Sequence, residues 1–400
     1  MLNAPAARLY FFTNFRALIS FEETLAIEAI RGEARMTDDF VSSRRTLAKR
    51  SRAAVLWGLG VLVAAQILFF FPLSSWWPQL HDPQYGGRLT RLRARLAEKP
   101  KGQPFVLLLG SSHIAMGVRP GVLRGDSSAP GSGPFLFNFS MNNGCPMVSL
   151  LCLHRLLREG IKPDWLLVET CPLQLWLDGP RAQTNECLNP ALVQHQDLPI
   201  LSQYYSNPHK FRKDWRKGQL WPWYFHRDFL LSSLTPRWLP SPKRLNAMWD
   251  HMDEWGWQWV EGLTESYQEN GLDMEKMRIW VTGMYQQFEI SAVDRRAIQE
   301  IVDICRREKI QLAFLRMPEA EFFLSWYPFS MQDQVDRYLA GLSKEYQVAV
   351  IDARRWLPDV SFSDGHHLTP AGATAFTQRL DREFLQALQS DRKQVVMNAD

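Results

Sequence analysis

Cysteine is scarce in this chain, and neither sign of charge dominates it. Among 400 residues there are 5 cysteines, and Lys plus Arg number 46 against 42 Asp plus Glu. The cysteines, at 145, 152, 171, 187 and 305, lack the close pairing of a structural zinc site. A net charge of +4, much of it near the N-terminus, gives no basic face for nucleic acid. Long apolar runs are missing too, with one exception, which excludes a polytopic membrane protein. The 46% apolar and 22% charged side chains exclude wholesale disorder and collagen, and suffice for one large domain or two smaller ones.

The exception is AAVLWGLGVLVAAQILFFF, Ala53 to Phe71, uncharged and with Gln66 as its one strongly polar side chain. That length just spans a hydrocarbon core as a helix, and a run apolar on every face is unlike an amphipathic core helix. Pro72 follows, and Trp76 and Trp77 stand where an interfacial aromatic belt belongs. Arg44, Arg45, Lys49, Arg50 and Arg52 precede the run, while the next basic residue after it is Arg88. The reading is an uncleaved anchor over 53–72, a cytoplasmic tail over 1–52 and an extracytoplasmic remainder. A cleaved signal peptide competes, but no small-x-small site follows the run. Residues 1–35 have no evident role, and Met36 opens a tail of ordinary length. Translation is expected to begin at Met36, which N-terminal sequencing tests. Outside the cytoplasm, Cys171 and Cys187 are spaced to close a short loop; the alternative is that the thiols are unpaired and buried.

Beyond a basic amphipathic stretch, RLTRLRARLAEK, read with residues 73–104 as a stalk or first helix, apolar strands alternate with amphipathic helices. FVLLLG (105–110), FLFNF (135–139), WLLVE (165–169), IQLAFLRM and VAVID read as strands, the first buried on both faces. Helices are expected over Met147–Gly160, Ser291–Lys309, about Met331–Glu345 and from Pro370 to about Leu388. Such alternation specifies a parallel sheet with helices on both faces. The segment 172–289 breaks the rhythm and holds ten of the 16 tryptophans. It reads as a mainly helical insertion at the carboxyl edge of the sheet, where open α/β sheets bind ligands. Its indole rings are either its own core or a covering layer that stacks sugars or rests on a membrane.

Two places carry chemistry. In LLLGSSHIAMGV a buried strand runs into Gly110, Ser111, Ser112 and His113. A hydroxyl on such a turn faces the open edge of the sheet, and its backbone N–H can help hold an oxyanion. In FSDGHHLTPAGATAFTQRL, Asp364 and His367 lie three apart before a helix. A carboxylate so placed fixes one imidazole nitrogen while the other faces a nucleophile. Asp364, His366 and His367 also read as a metal-binding group or a helix cap, and His366 competes with His367 as base.

Together these blocks, more than 250 residues apart, resemble the SGNH (GDSL-like) hydrolase superfamily over roughly residues 105–385. The resemblance implies a three-layer flavodoxin-like α/β fold over 105–390, interrupted by the insertion and followed by a tail over 391–400. Gly110-Ser111-Ser112 matches the Gly-Asp-Ser block and makes Ser112 the nucleophile. NFSMNNG is similar to the second block and puts the Gly144 N–H in the oxyanion hole with Asn143 beside it. Asp364 and His367, with Leu368 and Gly372, match the last block.

Two departures stand out. Ser111 replaces the acidic residue, as in the membrane-anchored branches that look like alginate-acetylation and teichoic-acid D-alanylation proteins. The third block ends in Glu169, Thr170 and Cys171, without the Asn that normally donates to the oxyanion. Loss of one such donor costs about 100- to 1000-fold in rate; Asn142 and Asn143 are candidate substitutes. Arg316 at a strand end reads either as a substrate contact or as a solvated residue. His113 reads as a substrate contact or as packing, and Glu169 as a cleft carboxylate or an arginine partner. The resemblance implies an esterase or O-acyltransferase, without a cofactor or metal, acting on an acylated cell-surface glycan. The alternative is a non-catalytic scaffold or glycan-binding component, working with other envelope proteins.

Overall fold

The computed structural model describes residues 49–68, 81–124, 133–176, 188–205, 207–240, 244–246, 249–260, 274–285 and 288–387. Met36 and residues 1–35, Trp76, Trp77, Cys187 and the tail over 391–400 lie outside these. The chain divides into two units, ending at Leu68 and beginning at Phe69.

Among its described residues the first unit contributes one helix, α1 (Lys49–Leu68), with a mean hydropathy of 1.6 and none of its apolar window buried. At 1.5 Å per residue it is about 30 Å long, enough to cross a membrane.

The second unit is built on five strands: β1 (Phe105–Leu109), β2 (Phe135–Asn138), β3 (Trp165–Glu169), β4 (Gln311–Arg316) and β5 (Ala349–Asp352). All neighbouring pairs are parallel, in the order β2-β1-β3-β4-β5. β1 is wholly buried because both of its faces are covered. Leu107 and Leu109 face one core with Leu166, Val168 and Phe314, whereas Val106 and Leu108 face the other with Leu167, Ala313 and Leu315. The period of two in a strand thus becomes three layers. On the first face lie α2 (Pro83–Ala97), α4 (Pro146–Arg158), α8 (Ala292–Glu308) and α9 (Phe329–Tyr346); on the second lie α3 (Ser112–Gly117) and α10 (Pro370–Leu380). Among the described residues, the segment between β3 and β4 also holds a short helix, Leu198–Leu201, and the longer α5 (Pro208–Leu220), α6 (Pro222–Leu234) and α7 (Met274–Met284).

The chain leaves β1 toward β2, then crosses to β3 on the other side of β1, so the carboxyl ends of β1 and β3 flank a topological switch point. The expected strands and helices are present with shifts of a few residues at their ends. One reading needs correction. Of the two readings of the basic stretch, first helix holds and stalk does not where it is described: α2 buries Tyr85, Leu89 and Leu92 in the core and Arg88 donates to Gln258.

The tryptophan-rich segment divides in two. Trp257 is buried and its Nε1 donates 2.6 Å to the Met116 carbonyl, while Arg119 stacks over its ring. Trp255 packs on Phe135 between Arg95 and Arg124. Trp221, Trp223 and Trp238, by contrast, are exposed. Buried and exposed rings therefore coexist in one segment.

Behind α6, buried His226 has its ring 4.6 Å from that of His81. Burial, and then Arg155, lowers His81 to about 4; burial, and then His81, lowers His226 to about 3. Both are neutral when folded and take up a proton when unfolded, so their stabilisation is complete above pH 6.5 and is lost as pH falls toward those values. At about pH 5 each contributes a penalty of roughly 2 kcal/mol. Urea unfolding of the full chain in detergent is expected to shift to lower urea between about pH 7 and about pH 5, and His226→Phe to flatten that shift; equal pH sensitivity in both proteins would contradict the account.

Candidate active site

The turn that carries Ser111 and Ser112 follows β1 directly. Ser111 caps α3, its Oγ accepting from the His113 N–H at 3.1 Å, which leaves Ser112 as the first helical residue with its hydroxyl outward. Ser112 Oγ lies 3.0 Å from His367 Nε2. His367 Nδ1 lies 2.8 Å from Asp364 Oδ2, while Asp364 Oδ1 accepts the backbone N–H groups of His366 and His367 at 2.9 and 2.6 Å. A carboxylate facing Nδ1 requires a proton on that nitrogen, so Nε2 is the acceptor and the Ser112 hydroxyl the donor.

The loop holding the imidazole is set by its own sequence. Gly365 has φ +86 and packs against Phe322, where a Cβ would collide with that ring. Ser363 donates twice to the His367 carbonyl, and Thr369 caps α10 by accepting from Gly372. Burial alone would raise the Asp364 carboxyl, but the charge and hydrogen bonds of His367 outweigh it and hold Asp364 well below the usual carboxylate range. The group is a carboxylate throughout ordinary pH.

Behind this trio lies a buried network whose connections the sequence did not reveal. Glu169, at the end of β3, accepts from the Ser111 N–H at 2.6 Å, the Ser111 hydroxyl at 3.2 Å and Gln174 at 3.1 Å. His113 Nδ1 stands 3.2 Å from Glu169, off the hydrogen-bond line, and His113 Nε2 donates to the Pro318 carbonyl at 2.9 Å. Burial would lower His113 and raise Glu169; their mutual attraction reverses both, so His113 is raised and Glu169 lowered. The His366 ring stacks on His113 at 3.9 Å and its Nδ1 lies 3.1 Å from Glu319, which also accepts from Tyr327. Burial, and then the His113 charge, lowers His366. His113 and His366 are thus stacked rings that each face a buried carboxylate, with only His113 drawn toward its charged form. Glu169 is committed to the nucleophile turn; Glu319 and Tyr327 carried no sequence signal, since their partners are far along the chain.

The remaining candidates are placed differently. Gly144 abuts Gly110 so closely that a Cβ would strike its carbonyl, and the Met141 N–H donates to that carbonyl at 2.9 Å. The Gly144 N–H itself donates to Met141 at 2.8 Å, so it already has an acceptor. Asn143 is exposed, in the left-handed region at φ 58. Asn142 is drawn to Gln84 and Gln258. Arg316 is buried and paired with Asp336 and, at 3.4 Å, Asp352. That is neither a solvated residue nor a group the structure brings to Ser112 and His367.

Among the described residues, one group of metal-type ligand atoms falls within 4.8 Å of one another: His113, Cys171 and His366. The two rings are tilted by 30° at a separation of 3.9 Å, so an ion in the plane of one would sit well out of the plane of the other. The expected alternative, Asp364 with His366 and His367, has its atoms turned to Ser112, Glu319 and the backbone. Cys171 is a buried free thiol.

A family model of uncharacterised members matches residues 281–389, well under half of the chain. The match takes in the loop of Asp364 and His367 and leaves out Ser112. No curated protein matches.

Removing one member of a buried ion pair leaves its partner uncompensated, at a cost of about 3–5 kcal/mol. Glu169→Ala is expected to lower unfolding stability by that amount in urea titrations, and Glu169→Gln by most of it, since the amide keeps an acceptor for the Ser111 N–H but removes the charge that faces His113. Equal, small losses would contradict the ionic reading of Glu169 and His113.

Proposed function

We propose that this protein is an SGNH-type serine esterase or O-acyltransferase that works through an acyl-enzyme at Ser112. The observation carrying this reading is the continuous chain Ser112 Oγ, His367 Nε2, His367 Nδ1, Asp364 Oδ2, with links of 3.0 and 2.8 Å. A hydroxyl, an imidazole of fixed tautomer and a carboxylate, in that order, constitute a proton-transfer device for attack on a carbonyl.

In the proposed reaction Ser112 Oγ attacks the ester carbonyl as its proton passes to His367 Nε2. Asp364 stabilises the imidazolium, and the Ser112 N–H at the start of α3 faces the developing oxyanion. Collapse breaks the bond to the leaving alcohol, which takes the proton from His367. The acyl group then passes to water or to a sugar hydroxyl that gives its proton to the same nitrogen. The resemblance to membrane-anchored branches supports an acylated cell-surface glycan as substrate. The apolar length of α1 and the basic residues before the run support an anchor with the catalytic unit outside the cytoplasm.

A second reading, a non-catalytic scaffold or glycan-binding component, draws on two observations. Glu169 stands where a side-chain oxyanion donor is expected, and the Gly144 N–H is spent on Met141.

Full-length protein treated with a fluorophosphonate is expected to be labelled, and to turn over a small acetyl ester. Ser112→Ala abolishes both, Ser111→Ala retains labelling, and His367→Ala slows it by about 100- to 10,000-fold. A folded protein that neither labels nor hydrolyses would favour the scaffold.

A further inference from the structure

After β4 the chain runs along the site without contributing a reacting atom, yet three consecutive residues each hold a different neighbour of the reacting pair. The Pro318 carbonyl accepts from His113 Nε2 at 2.9 Å, and His113 follows Ser112 in the chain. Glu319 Oε1 faces His366 Nδ1 at 3.1 Å, and His366 precedes His367. The Ala320 N–H donates to the Gly365 carbonyl at 2.9 Å, and Gly365 follows Asp364. Phe322 and Phe323 prolong the contact, the first against Gly365 and the second with its ring 5.3 Å from that of His366. His366 in turn donates its backbone N–H to Asp364 at 2.9 Å, so its position is passed on to the carboxylate.

The segment is itself fixed to the sheet. Ala353 donates to the Arg316 carbonyl at 3.0 Å and Glu319 to the Arg354 carbonyl at 3.1 Å, so the chain beyond β5 lies along the chain beyond β4. Met317, Glu319 and Ala320 are buried, and Tyr327 donates to the same Glu319 oxygen that faces His366. Ser112 and His367 bond to each other through one hydrogen bond, and that bond is lost once Ser112 Oγ is acylated. The contacts of residues 318–320 involve no reacting atom and persist through both halves of the reaction. A base must stay within hydrogen-bond reach of its partner, and a misplacement of about 1 Å can cost about 100-fold. We propose that Pro318–Ala320 is a clasp that sets the spacing of Ser112 and His367, with Glu319 as a positioning residue acting through His366. This rests on the reading of Ser112 as the nucleophile.

The test follows fluorophosphonate labelling of the full chain in detergent over a range of reagent, which separates the maximal labelling rate from the concentration that gives half of it. Glu319→Leu keeps the volume but removes the acceptor for His366 and Tyr327, and is expected to lower the maximal rate by about 100-fold at an unchanged half-saturating concentration. Glu319→Gln should recover about tenfold of that loss, because one amide oxygen can still accept from both partners. Adding His366→Leu to Glu319→Leu should cost little more, since the two act in series. Ala320→Pro, at a φ of −62 that proline accepts, withdraws the N–H from Gly365 without touching the carboxylate and should lower the same rate by about tenfold. A parent protein labelled at Ser112 whose folded Glu319→Leu and Ala320→Pro variants label equally fast overturns the clasp and leaves the enzyme standing. A loss confined to the half-saturating concentration, a Glu319→Gln no faster than Glu319→Leu, or a full further loss on adding His366→Leu overturns the positioning role of Glu319. A folded parent that takes no label overturns both readings. If circular dichroism shows Glu319→Leu to be unfolded, Ala320→Pro decides by the same comparison.

Discussion

A 3.0 Å contact between Ser112 and His367 joins the end of the first strand to the loop before the last helix, across 255 positions of sequence. Neither side chain could hold its place alone. Ser112 is fixed because β1 is buried on both faces and the chain turns sharply at its end into α3. His367 is fixed because Asp364 collects its ring and two backbone N–H groups, and because Gly365 turns the loop against Phe322. The parallel sheet brings these two independent constructions to the same edge, beside the switch point between β1 and β3.

The ground beneath them is a buried network of carboxylates and imidazoles. Glu169 and Glu319 are buried carboxylates with His113 and His366 as partners. Burying four such groups is costly, and the network offsets that cost through mutual pairing and hydrogen bonds to Ser111, Gln174 and Tyr327. At the end of β3, where the resemblance looks for a neutral donor, stands an anion that holds the turn carrying Ser111 and Ser112. The carboxylate of Glu169 fixes the backbone immediately before Ser112.

What the sequence made legible follows from the range of each interaction. Strands buried on both faces declare themselves as short apolar runs, and helices such as α8 and α10 by periodicity and their Ser291 and Thr369 caps. Asp364 and His367 are visible because they interact at a spacing of three. The His113, His366, Glu169 and Glu319 arrangement is assembled from distant segments and leaves no local pattern. Arg316 shows the same limit, since its partners Asp336 and Asp352 come from α9 and β5. α2 reads as a stalk because its basic residues mask the three apolar positions that join it to the core. Tryptophan content alone did not separate Trp257, packed on α3, from Trp223, open to the surface.

The central claim is that Ser112 Oγ is the atom that becomes acylated, with His367 as its proton partner. The most direct measurement is a crystal structure of the full chain after reaction with a fluorophosphonate. Continuous density from Ser112 Oγ to phosphorus, with His367 Nε2 still in hydrogen-bond reach and a phosphonyl oxygen against the Ser112 N–H, is the predicted result. An adduct on any other side chain, or an unmodified Ser112 in folded, reagent-saturated protein, would contradict it.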